Sequence, residues 1–214
     1  MDEFESEDQQ IQAIKKWWKE NGASVIGGVV LGIAAVFGWK AWVGYQAEVG
    51  EQASVLFERL SNSINAGADE AAKSQAEQLI TEYPSTPYAW FAALAQAKVD
   101  AEAGDEAAAR ERLEWVLAET DQPGIQQLTR LRLARLQLGE GDVVAAAATL
   151  GGIEAGAFGG EFAHLEGDIA RARGDLAAAR TAYEHALQNE VGNPRLVQMK
   201  LDDLAVEPAG QGAQ

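Results

Sequence analysis

The sequence predicts an all-α protein: a single N-terminal transmembrane helix, then an α-solenoid of about four helical hairpins with a C-terminal capping helix. Three observations predict it. A run of nineteen uncharged residues extends from Asn21 to Trp39. Glycine turns recur at nearly constant spacing through the rest of the chain. Alanine is abundant, there are only five prolines, and Val and Ile form no alternating runs, so the composition favours helix over sheet.

The first twenty residues form an acidic segment, and "MDEFESEDQQ" reads as solvated, disordered sequence. The span, residues 21–43, comes next. At 1.5 Å per residue its uncharged part covers about 28 Å, close to the hydrocarbon thickness of a bilayer. Trp17 and Trp18 precede it, and Trp39, Trp42 and Tyr45 follow, rings that prefer the two membrane–water interfaces. A cleaved export signal needs a shorter apolar run and a small-residue cleavage site, but "GWKAWVGYQAEVG" crowds that region with bulky rings. An uncleaved anchor is therefore expected. Lys15, Lys16 and Lys19 lie just before the span, and beyond Lys40 the next cation is Arg59. That bias keeps the N-terminus in the cytoplasm and carries the rest across. Within the span, Ser24, Gly28 and Gly32 are spaced by four, a small-residue seam along which another helix can approach.

Residues 44–206 are expected to form the translocated domain, and 207–214 a flexible tail. The formal net charge is −16; before Gly44 there are four cations and six acids, and after it thirteen and twenty-seven, or −14. Such a domain is a poor partner for nucleic acid or anionic lipid. There is no cysteine, hence no disulfide or thiol chemistry. Turns fall at Gly67, Gly104-Asp105, Gly141-Asp142 and Gly174-Asp175, at intervals of 37, 37 and 33 residues. Seven residues before each stand Leu60, Ala97, Ala134 and Gly167; five after, Ala72, Ala109, Ala146 and Ala179; nine after, Ala76, Leu113, Leu150 and Tyr183. Small residues let two helices cross closely, and a large one beside them fills the gap. The glycine ends one helix and the aspartate caps the next. Tyr83-Pro84 and Asn193-Pro194 fall near unit ends, where a helix has to stop. These offsets resemble the tetratricopeptide repeat in degenerate form, with Leu60 at a small-residue position and units longer than the usual length of about 34 residues. "PRLVQMKLDDLAV" is expected to cap the open end.

No catalytic, cofactor or metal site is expected. No glycine-rich loop is followed by Lys-Ser/Thr, and no zinc spacing occurs. "GIEAGAFGG" around Gly156 reads as a flexible linker between repeats. His164 and His185 lie on different helices without a Ser or Cys partner, and Asp202-Asp203 point about 100° apart on a helix, a solvated pair. Recognition is expected on the inner face of the stack. The inward repeat positions hold Phe57, Phe91, Leu94, Lys98, Arg135, His164 and Arg171; of these, Phe91, Leu94, Lys98, Arg135 and Arg171 are the expected partner-binding groove. Arg110 and Arg112 fall on second helices and should face elsewhere.

Span and repeats together resemble the YfgM family, the ancillary subunit of the SecYEG translocon. The resemblance rests on the acidic N-terminus, on "KENG" before the span and "GWKAW" at its end, on "LRLARLQL" at Leu131 to Leu138, and on "QMKLDDL" at Gln198 to Leu204. It implies a single-pass protein of the Gram-negative inner membrane with a periplasmic repeat domain. It also implies association with the translocon and with the membrane-anchored chaperone PpiD, and a part in passing exported client proteins to periplasmic folding factors. A link between the cytoplasmic tail and a stress-response regulator is implied as well. The residues by themselves also allow a second class of function, a coordinator of envelope assembly or cell division built on the same repeat module.

Overall fold

In the computed structural model of the protein, residues 2–206 are described, with backbone alone for residues 2–10, 13, 205 and 206. The expected flexible tail, 207–214, lies outside the described residues. All regular structure among the described residues is helical: α1 (Asp2–Asn65), α2 (Asp69–Glu82), α3 (Pro87–Glu102), α4 (Glu106–Glu119), α5 (Pro123–Gly139), α6 (Val143–Leu150), a 3-10 turn (Gly156–Phe158), α7 (Gly159–Ala172), α8 (Leu176–Gln188) and α9 (Pro194–Val206). The chain divides into two compact units, residues 1–52 and the remainder from Ala53.

The first unit lies entirely within α1. Most of its described apolar side chains are exposed; Leu31 is 72% exposed and Phe37 69%. A helix this long and apolar is able to cross a membrane. A Cβ added at Gly28 or Gly32 would meet nothing within 4 Å. The acidic segment expected to be disordered is instead helical from Asp2. Extending a helix from an existing one avoids the cost of nucleation, so a segment of this acidic composition can continue it.

In the second unit, the last turns of α1 pair with α2, α3 with α4, α5 with α6 and α7 with α8, and α9 closes the series. The α3–α4 turn shows how each hairpin closes. Gly104 adopts φ +82, a conformation open to glycine at no steric cost; the Asp105 amide donates to Asp100 O at 2.8 Å, and Asp105 Oδ1 accepts from the Ala108 amide at 3.1 Å. Asp142 and Asp175 repeat the cap at 2.9 and 3.0 Å. Ala68 holds the equivalent place in the first hairpin and makes no side-chain cap.

Four apolar clusters run along the stack. Leu60, Leu79 and Ala92 anchor the first; Ala97, Ala109, Leu113 and Leu133 the second; Leu131, Ala146, Leu150 and Phe162 the third; Ala179, Tyr183 and Val197 the fourth. The capping helix buries Val197 completely and Leu204 almost so. The segment around Gly156, expected to be a flexible linker, is packed instead. Ile153, Ala155 and Phe158 lie against the third cluster, and Gln127 Nε2 donates to Glu154 O at 2.8 Å. Its apolar side chains outweigh its glycines.

Candidate functional site

The first helix of each hairpin contributes to the face on which the expected groove residues fall. At the α1 end, Phe57 lies 5.6 Å from Tyr88 and 6.3 Å from Phe91, ring centre to ring centre, and Phe91 remains 42% exposed. Phe91 and Lys98 are seven residues apart on α3, two turns of one helix face or about 10 Å.

Lys98 and Arg135 fall on one cleft. Together with Arg132 they line a cleft of about 420 Å³ between α3 and α5, floored by Ala109 and Leu113 of α4. The three cations differ in their freedom. Lys98 Nζ reaches Glu102 Oε1 at 3.4 Å, but both side chains are about two-thirds exposed, so the pair holds it weakly. Arg132 is half-buried and donates to the Leu94 carbonyl at 3.0 Å; burial first, and then the neighbouring Arg135 charge, lower its pKa. Arg135 is exposed and has no carboxylate at ion-pair distance among the described residues. Arg132 was missing from the expected groove because its repeat position does not point inward in an ideal unit; only the cleft between units reveals it.

Leu94 does not line the face. It is 3% exposed and packs in the second cluster with Trp90 and Ala97, because α5 closes over it. Arg171 is exposed near the end of α7, close enough to Tyr183 to affect its hydroxyl electrostatically, and it lines neither this cleft nor the next.

A second cleft, about 610 Å³, adjoins the first and shares Arg135 with it. Lys200 of α9 and His164 and Asp168 of α7 line it. Lys200 Nζ lies 2.6 Å from Asp168 Oδ1 and 2.8 Å from His164 Nε2, and the Tyr183 hydroxyl donates to Asp168 Oδ1 at 2.8 Å. Burial, then the Asp168 hydrogen bond and charge, push the tyrosine pKa upward, so the hydroxyl remains a donor. His164 shifts the other way: burial lowers its pKa, aided by Lys200 and Arg135 and opposed by Asp168 and Glu161. Lys200, His164, Asp168 and Tyr183 occupy one another, so the cluster ties the capping helix to the last hairpin. It went unseen in the sequence because Lys200 is remote from His164 along the chain.

Arg110 and Arg112 line neither cleft, but they are not idle. Arg110 pairs with Glu140, and Arg112 bridges Asp100 at 2.9 Å and Glu77. Among the described residues no group of three or more His, Cys, Asp or Glu is placed to hold a metal ion.

A family model described as a tetratricopeptide repeat-like domain matches residues 15–206. With its span-length apolar helix, the molecule fits the class of membrane-anchored tetratricopeptide-like proteins. Similar proteins are a Haemophilus influenzae chain, 35% identical over 92% of this chain and 97% of its own length, and an Escherichia coli chain, 30% identical over 96% and 100%. A third, from Aggregatibacter actinomycetemcomitans, is 31% identical over 92% and 97%. Each is named an ancillary SecYEG translocon subunit, and the protein belongs to that family.

Proposed function

We propose that this protein is a non-enzymatic accessory subunit of the Sec translocon that holds protein segments on its concave face. In this reading residues 21–43 anchor it in the inner membrane with the N-terminus cytoplasmic. The repeat domain, residues 44–206, works in the periplasm beside the exit of the channel. Its partners are the translocon, the chaperone PpiD and exported clients, which it helps to pass to periplasmic chaperones. One observation carries the reading: Lys98, Arg132 and Arg135 converge on a cleft in a domain with thirteen cations and twenty-six acids, and Arg135 has no carboxylate at ion-pair distance among the described residues. A cation left uncompensated amid so many acids is placed to meet a partner's charge. Anchoring raises the effective concentration of the face at the membrane, so modest contacts suffice.

The chain has no cysteine, so one introduced thiol is chemically unique. Ala101→Cys, which lines the same cleft and keeps its three cations, linked in the full chain to its neighbours in intact cells, is expected to trap translocon subunits, PpiD and emerging exported chains. Trapping of cell-wall or outer-membrane assembly enzymes instead would favour the envelope-coordinator reading. For orientation, a reporter active only in the periplasm is expected to work when fused after Val206 and to fail before Asp8; the reverse pattern would overturn the assigned compartment.

A further inference from the structure

We infer that the concave face recognises a two-part signal: an apolar side chain seated on the Phe57–Tyr88–Phe91 aromatic cluster and a carboxylate about three residues away held by Arg135 and Lys98. This rests on the groove reading above and specifies what the groove takes. The apolar half follows from exposure. Phe91 leaves 42% of its surface uncovered beside two further rings, a platform that gains from being covered. The acidic half follows from charge. Arg132 is fixed by the Leu94 carbonyl at 3.0 Å, and Arg135 stands beside it without a carboxylate partner among the described residues. Two guanidinium groups lining one cleft repel, and an anion bound between them relieves that repulsion. Lys98 is free to join, since its ion pair among the described residues is with the exposed Glu102. The spacing follows from the helix. Seven residues of α3 separate Phe91 from Lys98, about 10 Å of rise, while an extended segment advances about 3.3 Å per residue. An apolar residue and a carboxylate three positions apart therefore reach both ends, in either chain direction.

The test uses the full chain in detergent and fluorescent Gly/Ser peptides of equal length. One peptide carries a Trp with an Asp three residues away on each side; a second has both Asp residues adjacent to the Trp; a third and fourth repeat the first with Asn or Lys for Asp. The first is expected to bind at least about fivefold tighter than the second and about tenfold tighter than the third and fourth. Lys98→Gln with Arg135→Gln should erase the preference for Asp over Asn. Phe91→Ala should weaken the Asp and Asn peptides by a similar factor. Lys73→Glu with Arg180→Glu, both exposed and on second helices, should leave binding within about twofold, allowing for long-range charge alone. Helical content and melting temperature, read for every variant, exclude unfolding as the cause. Equal binding of spaced and adjacent peptides, with binding still lost in the variants, would overturn the two-part signal and leave the groove reading standing. Binding unaffected by either groove variant, or no binding of any peptide, would overturn both.

Discussion

Replacing Gly167 with alanine is expected to destabilise the last hairpin, although alanine is the better helix former. The ring of Tyr183 lies across Gly167: a Cβ there would sit 2.4 Å from ring carbons Cδ1 and Cε1 and 3.1 Å from Cζ. Non-bonded carbons rest at about 3.5–4.0 Å, so the ring has to retreat by about 1 Å. It has little room to do so, being completely buried, with its hydroxyl held by Asp168 at 2.8 Å. Overpacking of this kind costs about 1–3 kcal/mol. Breaking the hydrogen bond to a charged acceptor adds about 1.5–3 kcal/mol. The helix-propensity gain of alanine over glycine offsets about 1 kcal/mol. The net loss is then about 1.5–5 kcal/mol, read as a lower melting temperature by circular dichroism of the full chain. Adding Tyr183→Leu to Gly167→Ala should cost less than the sum of the two single changes, because the smaller side chain makes room. A Gly167→Ala chain as stable as the parent would refute the reasoning. The ring would then have another place to go, and the glycine would be there for no packing reason.

Three further outcomes are expected. His164 has a pKa below its ordinary 6.5, so the unfolded chain takes up its proton more readily. Its contribution to stability is complete above pH 6.5 and is lost as pH falls through the lowered value; His164→Gln should flatten the stability profile just below pH 6.5, and an unchanged profile would exclude this group as the cause. Arg112→Ala takes the cation from the mostly buried Asp100, leaving it the Gln96 Nε2 donor at 2.8 Å, and should cost about 1.5–3 kcal/mol in denaturant unfolding; a cost under about 0.5 kcal/mol would make the bridge an ordinary surface pair. Gly28→Leu with Gly32→Leu keeps the span apolar and should leave membrane insertion intact while weakening co-purification of a membrane partner. Undiminished co-purification would remove the small-residue seam from the argument.

The hairpin turns were legible because glycine and aspartate encode them locally. Gly67, Gly104, Gly141 and Gly174 all take positive φ, and the aspartates after the last three, Asp105, Asp142 and Asp175, cap the next helix. The pairing of Gly167 with Tyr183 was legible for a related reason: repeat register states which positions face each other before any coordinates do. Register misled where neighbouring units interlock. Leu94 has an inward repeat position but is covered from the side by α5, and Arg132 has none yet reaches the cleft. Arg110 and Arg112 looked like bystanders on second helices because their carboxylates come from elsewhere in the stack: Glu140 just after α5, Asp100 on α3 and Glu77 on α2. Lys200 meets Asp168 only once the capping helix has docked. Local chemistry is written in short windows of sequence, whereas an ion pair across helices depends on the assembled stack.

The four apolar clusters have a consequence for how the domain comes apart. Each is shared by successive helices, and the substantial contacts among the described repeat helices join neighbours in the chain or next neighbours. Cooperativity in such a molecule is passed hand to hand rather than held in common. Heat or denaturant should therefore peel the stack from its less secured end, with spectroscopic probes at the two ends reporting different midpoints. Short-range wiring also means that a chain emerging N-terminus first can set its early hairpins while later ones are still unmade, since no early helix waits for a distant strand or helix to complete it.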